Sequence, residues 1–237
     1  MILDQLRDER ADVIDPIWQN PATPNAFRLF YNAERPKIRG PILWRENYPF
    51  MHSTAHCMAF SHDPRIVIFL KRIPPQPGDA EKIAHELGHA ALFRAGFTSV
   101  VATTKMTLDS LASGLNSMLQ DPLIARRLRP YGFGDPAPVL ATLDGFKDQQ
   151  PRDPFNLFVL AAWFTLLSFE YREMTDQALP ADREQAFERR YPNAYAAAAR
   201  IRRIVADAGG YDTPDQHRAI YRRVIREFKL QEVITCP

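Results

Sequence analysis

The segment AEKIAHELGHAALFRAGF, residues 80–97, constrains this chain more than any other stretch. Ile83, Ala84, Leu87, Ala90, Ala91 and Leu92 recur with the spacing of a buried helix, yet His85, Glu86 and His89 fall within the same run. A helix advances about 100° per residue, so two side chains four apart project side by side from one face. His85 and His89 can therefore reach a single ion, while Glu86 points toward the edge of that face.

The sequence also bounds the helix. Asp79 stands where an N-cap is needed, and Glu81 lies in the first turn, where the helix dipole favours an acid. Gly96 supplies a left-handed terminal residue, and Phe97 follows it to fold back on the last turn. Gly88 costs the helix up to about 1 kcal/mol relative to alanine, which reads as room for another backbone beside His89.

HELGH is an H-E-x-x-H arrangement on a helix, and over about eighteen residues, Ala80 to Phe97, it resembles the zincin metallopeptidases. The resemblance implies one Zn2+ per chain, held by His85 and His89, with Glu86 as general base. Zinc would bring the pKa of its water toward neutrality and polarise a carbonyl. Glu86 would take the proton and pass it to the leaving amine. Zincins also set an edge strand beside the active-site helix for extended substrates, and RIVIFL, Arg65 to Leu70, is the natural candidate, while from its residues it reads equally as an internal strand of a small sheet.

Two histidines do not complete a zinc site. The third histidine of metzincins is absent from AALFRAGFTSVVATT, and the next predicted helix holds no glutamate of the kind gluzincins use. It does hold aspartates. Asp109 follows His89 by 20 residues, an interval similar to that of thermolysin-like gluzincins, and Asp121 follows it by 32, similar to that of aspzincins. LNSMLQDPLIARRLRPYGF also looks like the Asn-then-Asp segment of certain intracellular zincin-like proteins. Asp121 is the preferred third ligand, with Asp109 and then Glu170 as alternatives. Asp121 has a competing structural role, because Asp-Pro is a common helix start.

Other polar residues carry weaker signals. His52 and His56 are four apart in PFMHSTAHCMAF, which reads as strand or loop; in a strand they would stand about 13 Å apart, so neither they nor Cys57 is assigned a metal. Tyr131, Tyr171 and His217 are available to donate to an oxyanion, and the sequence does not choose among them.

The rest of the chain predicts a mostly helical α+β fold. A single zincin-like domain is expected over residues 1–237, with an N-terminal sheet region in 1–78, the motif and third-ligand helices in 79–135, and a helical half in 150–237. Up to about Asn47 proline and asparagine leave room only for short elements, and AHCMAF and RIVIFLKRI read as a strand pair around an SHDP turn. Leucines 108, 111, 115 and 119 mark a helix over about 104–120, followed by a short helix started by Asp121 and Pro122 and then a Pro- and Gly-rich connector. FNLFVLAAWFTLLSF reads as a buried helix, shorter than a membrane span needs, and three amphipathic helices fill the tail.

Thirty basic and 28 acidic residues leave a formal charge of +2, which gives no reason to expect nucleic acid or a membrane surface as partner. With two cysteines no disulfide framework is legible, and the charged N-terminal stretch lacks the apolar core of a secretion signal, so a cytoplasmic protein is expected. The functional expectation is zinc-dependent hydrolysis of peptide bonds in a peptide or protein substrate. The alternative is a catalytically inactive zincin-like binding module with a structural zinc.

Overall fold

In the computed structural model, residues 7–46, 55–60, 63–103, 109–146 and 153–236 are described, and they form a mostly helical α+β fold. They fall into two compact units, Met1–Ala95 with Arg127–Phe133, and Gly96–Arg126 with Gly134–Pro237.

In the first unit a π-helical turn, Glu9–Ile14, leads into the short α1, Asp15–Trp18, and then α2, Asn25–Glu34. This region holds more helix than its proline content suggested, because Phe27, Phe30, Tyr31 and Glu34 recur on one buried face of α2. Glu9 fastens that face: its carboxylate accepts from Tyr31 Oη at 2.7 Å and from Arg35 at 2.6 and 2.8 Å.

Strands β1 (Ile42–Glu46), β2 (Ala55–Phe60) and β3 (Asp63–Leu70) make a sheet in the order β1-β3-β2. β1 runs parallel to β3, with Ile42 opposite Ile66, and β2 runs antiparallel to it, with Cys57 opposite Ile68. RIVIFL is therefore the central strand, and the edge beside the motif helix belongs to β2. The reason is legible in hindsight: Ile66 to Leu70 are all buried, and an unbroken apolar run needs cover on both faces, as a central strand has. The SHDP turn shifts as well, because Asp63 and Pro64 already belong to β3.

The motif helix α3, Ala80–Arg94, packs against β2 and α2. It ends as the sequence required, with Gly96 at φ 88°. Its start differs. Asp79 makes no side-chain cap, because a 3-10 turn, Pro77–Asp79, precedes the helix and turns the carboxylate back to the Gln76 N–H at 2.8 Å and to Arg72 at 3.0 Å.

The second unit opens with β4, Val101–Ala102, which pairs antiparallel with the C-terminal β5, Ile234–Thr235. Between them along the chain run α4 (Asp109–Leu128), whose last two residues count with the first unit, and then α5 (Ala137–Asp144), α6 (Pro154–Thr175), α7 (Ala181–Arg190), α8 (Pro192–Asp207) and α9 (Pro214–Glu227). α5 occupies part of the stretch expected to be a connector. The three tail helices fall where expected, and Thr213 starts α9 with a capping box shared with Gln216.

Two helices depart from expectation. α4 does not stop at Gln120 and restart at Asp121; it is one helix of 20 residues with Pro122 inside it. A proline within a helix costs about 3 kcal/mol. Leu115, Met118, Leu119, Leu123, Ile124 and Leu128 continue a single buried stripe through it, and each is worth about 1.5–3 kcal/mol, so burial outweighs the local start signal. α6 is longer than its apolar core suggested. Its 22 residues make it long and apolar enough to cross a membrane by length and composition, and half of its most apolar window is buried in the fold. It packs against α8, with Phe164 tilted against Tyr195, and Phe158, Ala161 and Leu167 are among its buried residues.

At the end of α6 Glu173 gathers the ends of several segments. Arg126 donates to its two carboxylate oxygens at 2.6 and 3.0 Å, and Tyr211 Oη donates to it too. Burial alone would push the Glu173 carboxyl up, but these bonds and the charges of Arg126 and Arg172 hold it below the usual carboxylate range.

Candidate metal centre

Helix α3 brings His85 and His89 together because their Cβ atoms stand one turn apart on one face. Their rings lie 4.9 Å apart, with planes inclined by 76°. With Asp121, in the interior of α4, they are the described residues that could hold a metal ion. Each residue offers one ligand atom, these atoms all lie within 4.8 Å of one another, and all three side chains are half-buried.

Bond lengths of 2.0 to 2.2 Å place the ligands of a tetrahedral zinc about 3.3 Å apart, so the group is at most about 1.5 Å wider than coordination requires. Two imidazoles and a carboxylate are a donor set suited to zinc, and three ligands leave a fourth position for water or substrate.

The alternatives for the third ligand separate by position. Asp109 begins α4, 12 residues before Asp121, which is about 18 Å of helix, and its side chain lies outside the described residues. Glu170 sits on α6 and does not enter the group. Among the described residues the group that could hold a metal ion consists of His85, His89 and Asp121.

Glu86 is buried, at 4% exposure, and its Oε2 accepts a hydrogen bond from the backbone N–H of Cys57 at 2.8 Å. Cys57 belongs to β2, whose other side pairs with β3, so this N–H belongs to the open side of the edge strand. The carboxylate is thus fixed between its own helix and that strand. Burial first, and the Glu86 charge second, push the Cys57 thiol well above its ordinary pKa, so it stays protonated at neutral pH. Gly88, one turn from Ala84 on the same helix, is buried.

Comparison with protein families, with curated proteins and with solved structures gives no match for this chain.

Two of the three candidate oxyanion donors, Tyr131 and His217, are engaged elsewhere. Tyr131 Oη donates to Glu34 at 2.9 Å, and Tyr171 is buried on α6. His217 is fully buried, its Nε2 is 2.8 Å from the Tyr211 carbonyl, and Phe97 and Tyr221 pack edge-on against it. His52 lies outside the described residues, as does the side chain of His56.

Two features near the candidate ligands were not foreseen. The Cys57 N–H is a backbone group, and no side-chain pattern announces it. Tyr221 on α9 is fully buried, and its hydroxyl pKa is pushed up by burial first and then by the charges of Cys236 and Asp121. Its place at i+4 from His217 on a helix marked it only as core.

Proposed function

We propose that this chain is a zinc-dependent metallopeptidase that hydrolyses peptide bonds, with His85, His89 and Asp121 as the metal ligands and Glu86 as general base. The observation that supports it is the grouping of an H-E-x-x-H histidine pair with a carboxylate, ligand atoms within 4.8 Å of one another, while Glu86 stands apart from that group. A purely structural zinc site is closed by four ligands and has no use for an adjacent buried carboxylate.

Bound there, zinc would supply a water acidified toward neutrality and a Lewis acid for a carbonyl oxygen. The chain's own residues do the rest. His85 and His89 would hold the zinc as neutral imidazoles, kept in register by the helix. Glu86 takes a proton and returns it to the leaving amine, and the Cys57 N–H keeps the carboxylate aimed by occupying one of its oxygens. The substrate is a peptide or protein segment. Both cysteines are free thiols, which supports work in a reducing compartment such as the cytoplasm.

Peptide-library cleavage by wild type and Glu86→Gln, with zinc measured in both, tests the proposal. Cleavage by wild type alone, at equal zinc content, supports it. Zinc in both proteins with cleavage by neither returns the chain to the class of zinc-holding binding modules.

A further inference from the structure

A second site lies in the first unit, on a different face of α3. A cavity of about 680 Å3 is bordered by Glu34, Lys37, Arg39, Arg94 and Arg127. Ala91 and Arg94, which also border it, stand about 160° and 140° around the helix axis from His89. The cavity therefore opens away from the histidine pair.

Its charge is unbalanced. Four cations face one carboxylate, and that carboxylate is committed: Glu34 Oε1 accepts from Lys37 Nζ at 2.6 Å and from Tyr131 Oη at 2.9 Å. Among the described residues no carboxylate pairs with Arg39, Arg94 or Arg127, and Arg94 Nε is buried with no hydrogen-bond partner. Arg127 is close enough to Lys37 to oppose the effect of Glu34 on the lysine.

The backbone accommodates this gathering. Gly40 holds a left-handed φ of 82°, and a Cβ there would come within 3.0 Å of Arg94 Nη2. A side chain at position 40 would press on the Arg94 guanidinium.

Like charges converging on a cavity are costly unless an anion joins them, and guanidinium forks match the oxygens of phosphate two at a time. A net charge near +3 suits a phosphate or diphosphate group. The volume lies in the range of small-molecule sites and exceeds what one free phosphate fills. We infer that Lys37, Arg39, Arg94 and Arg127 form a binding site for the phosphate groups of a small phosphorylated molecule, distinct from the metal centre. The inference is independent of peptidase activity.

The test is calorimetric titration of the full chain with inorganic phosphate, pyrophosphate and citrate at matched ionic strength. Pyrophosphate should bind at one site per chain, more tightly than phosphate or citrate, and Arg94→Gln and Arg127→Gln should each weaken it roughly tenfold. Arg203→Gln, an exposed charge on α8, should not. If the partly buried Arg94 proves necessary for folding, the exposed Arg39→Gln carries the same expectation. An absence of saturable binding, equal affinity for citrate, or pyrophosphate binding insensitive to all three pocket variants overturns the assignment. The last result would place the anion elsewhere, the metal included.

Discussion

Glu86 Oε2 lies 2.8 Å from the backbone nitrogen of Cys57, which ties the acid of the HELGH motif to the edge strand that runs beside it. The bond gives this carboxylate a direction, and the direction belongs to the fold and not to the side chain alone. A general base is useful only when its lone pair is aimed, so the bond is a positioning device as much as a stabilising one.

Glu86→Gln separates those two roles. The amide keeps an oxygen for the Cys57 N–H, so stability should change by less than about 1 kcal/mol and bound zinc should be retained. The base is gone, and peptide cleavage should fall at least about 100-fold. Zinc content, thermal unfolding and turnover measured on one preparation check all three. Undiminished cleavage would remove Glu86 from the chemistry.

His217 should make the protein acid-sensitive. Its Nε2–H donates to the Tyr211 carbonyl, and burial pulls its pKa from 6.5 down to about 4, against the smaller opposing effects of that carbonyl and of Asp212. The unfolded chain therefore binds a proton between about pH 6.5 and 4 that the folded chain refuses. Stability is unaffected above that window, and about 3 kcal/mol is lost on crossing it downward. Denaturant titrations at pH 7, 5.5 and 4 should show the loss, and His217→Gln should flatten that part of the profile. An unchanged profile in the variant would assign the acid sensitivity to other groups.

Glu173 acts in the same direction at lower pH. Its carboxyl is held below the usual range by Arg126, Tyr211 and Arg172, so its contribution is present at neutral pH and fades as the pH falls through its depressed folded value. Glu173→Gln removes the carboxylate charge and one of the two oxygens that accept from Arg126, and should cost about 1–3 kcal/mol, discounted toward the lower figure because the arginine is half-exposed. Chemical denaturation of the variant at neutral pH measures it. A loss below a few tenths of a kcal/mol would show the network to be screened by solvent.

Much of this architecture was legible in the sequence. Helical spacing around His85 and His89, the glycine stop at Gly96 and the Thr213-Pro214 start of α9 are local signals, and each appears in the structure where the sequence put it. Legibility failed where a distant contact overruled a local one. Asp121 and Pro122 spell a helix start, but the apolar stripe from Leu111 to Leu128 holds α4 together through the proline. RIVIFL reads equally as an edge or a centre, and only its partners decide. The candidate for a third ligand was legible only as a short list of carboxylates, Asp121, Asp109 and Glu170, because separation along the chain does not give separation in space. The Cys57 N–H was not legible, since every residue but proline carries the same group.

The proposed function requires His85, His89 and Asp121 to hold one zinc. Elemental analysis of the chain purified without added metal or chelator, alongside Asp121→Ala and Asp109→Ala, tests it most directly. The predicted result is about one zinc per chain in the wild type and in Asp109→Ala, with the metal lost or weakened at least tenfold in Asp121→Ala. A wild type that carries no metal and takes up none when zinc is supplied would contradict the claim, and so would an Asp121→Ala variant that holds zinc as tightly as the wild type.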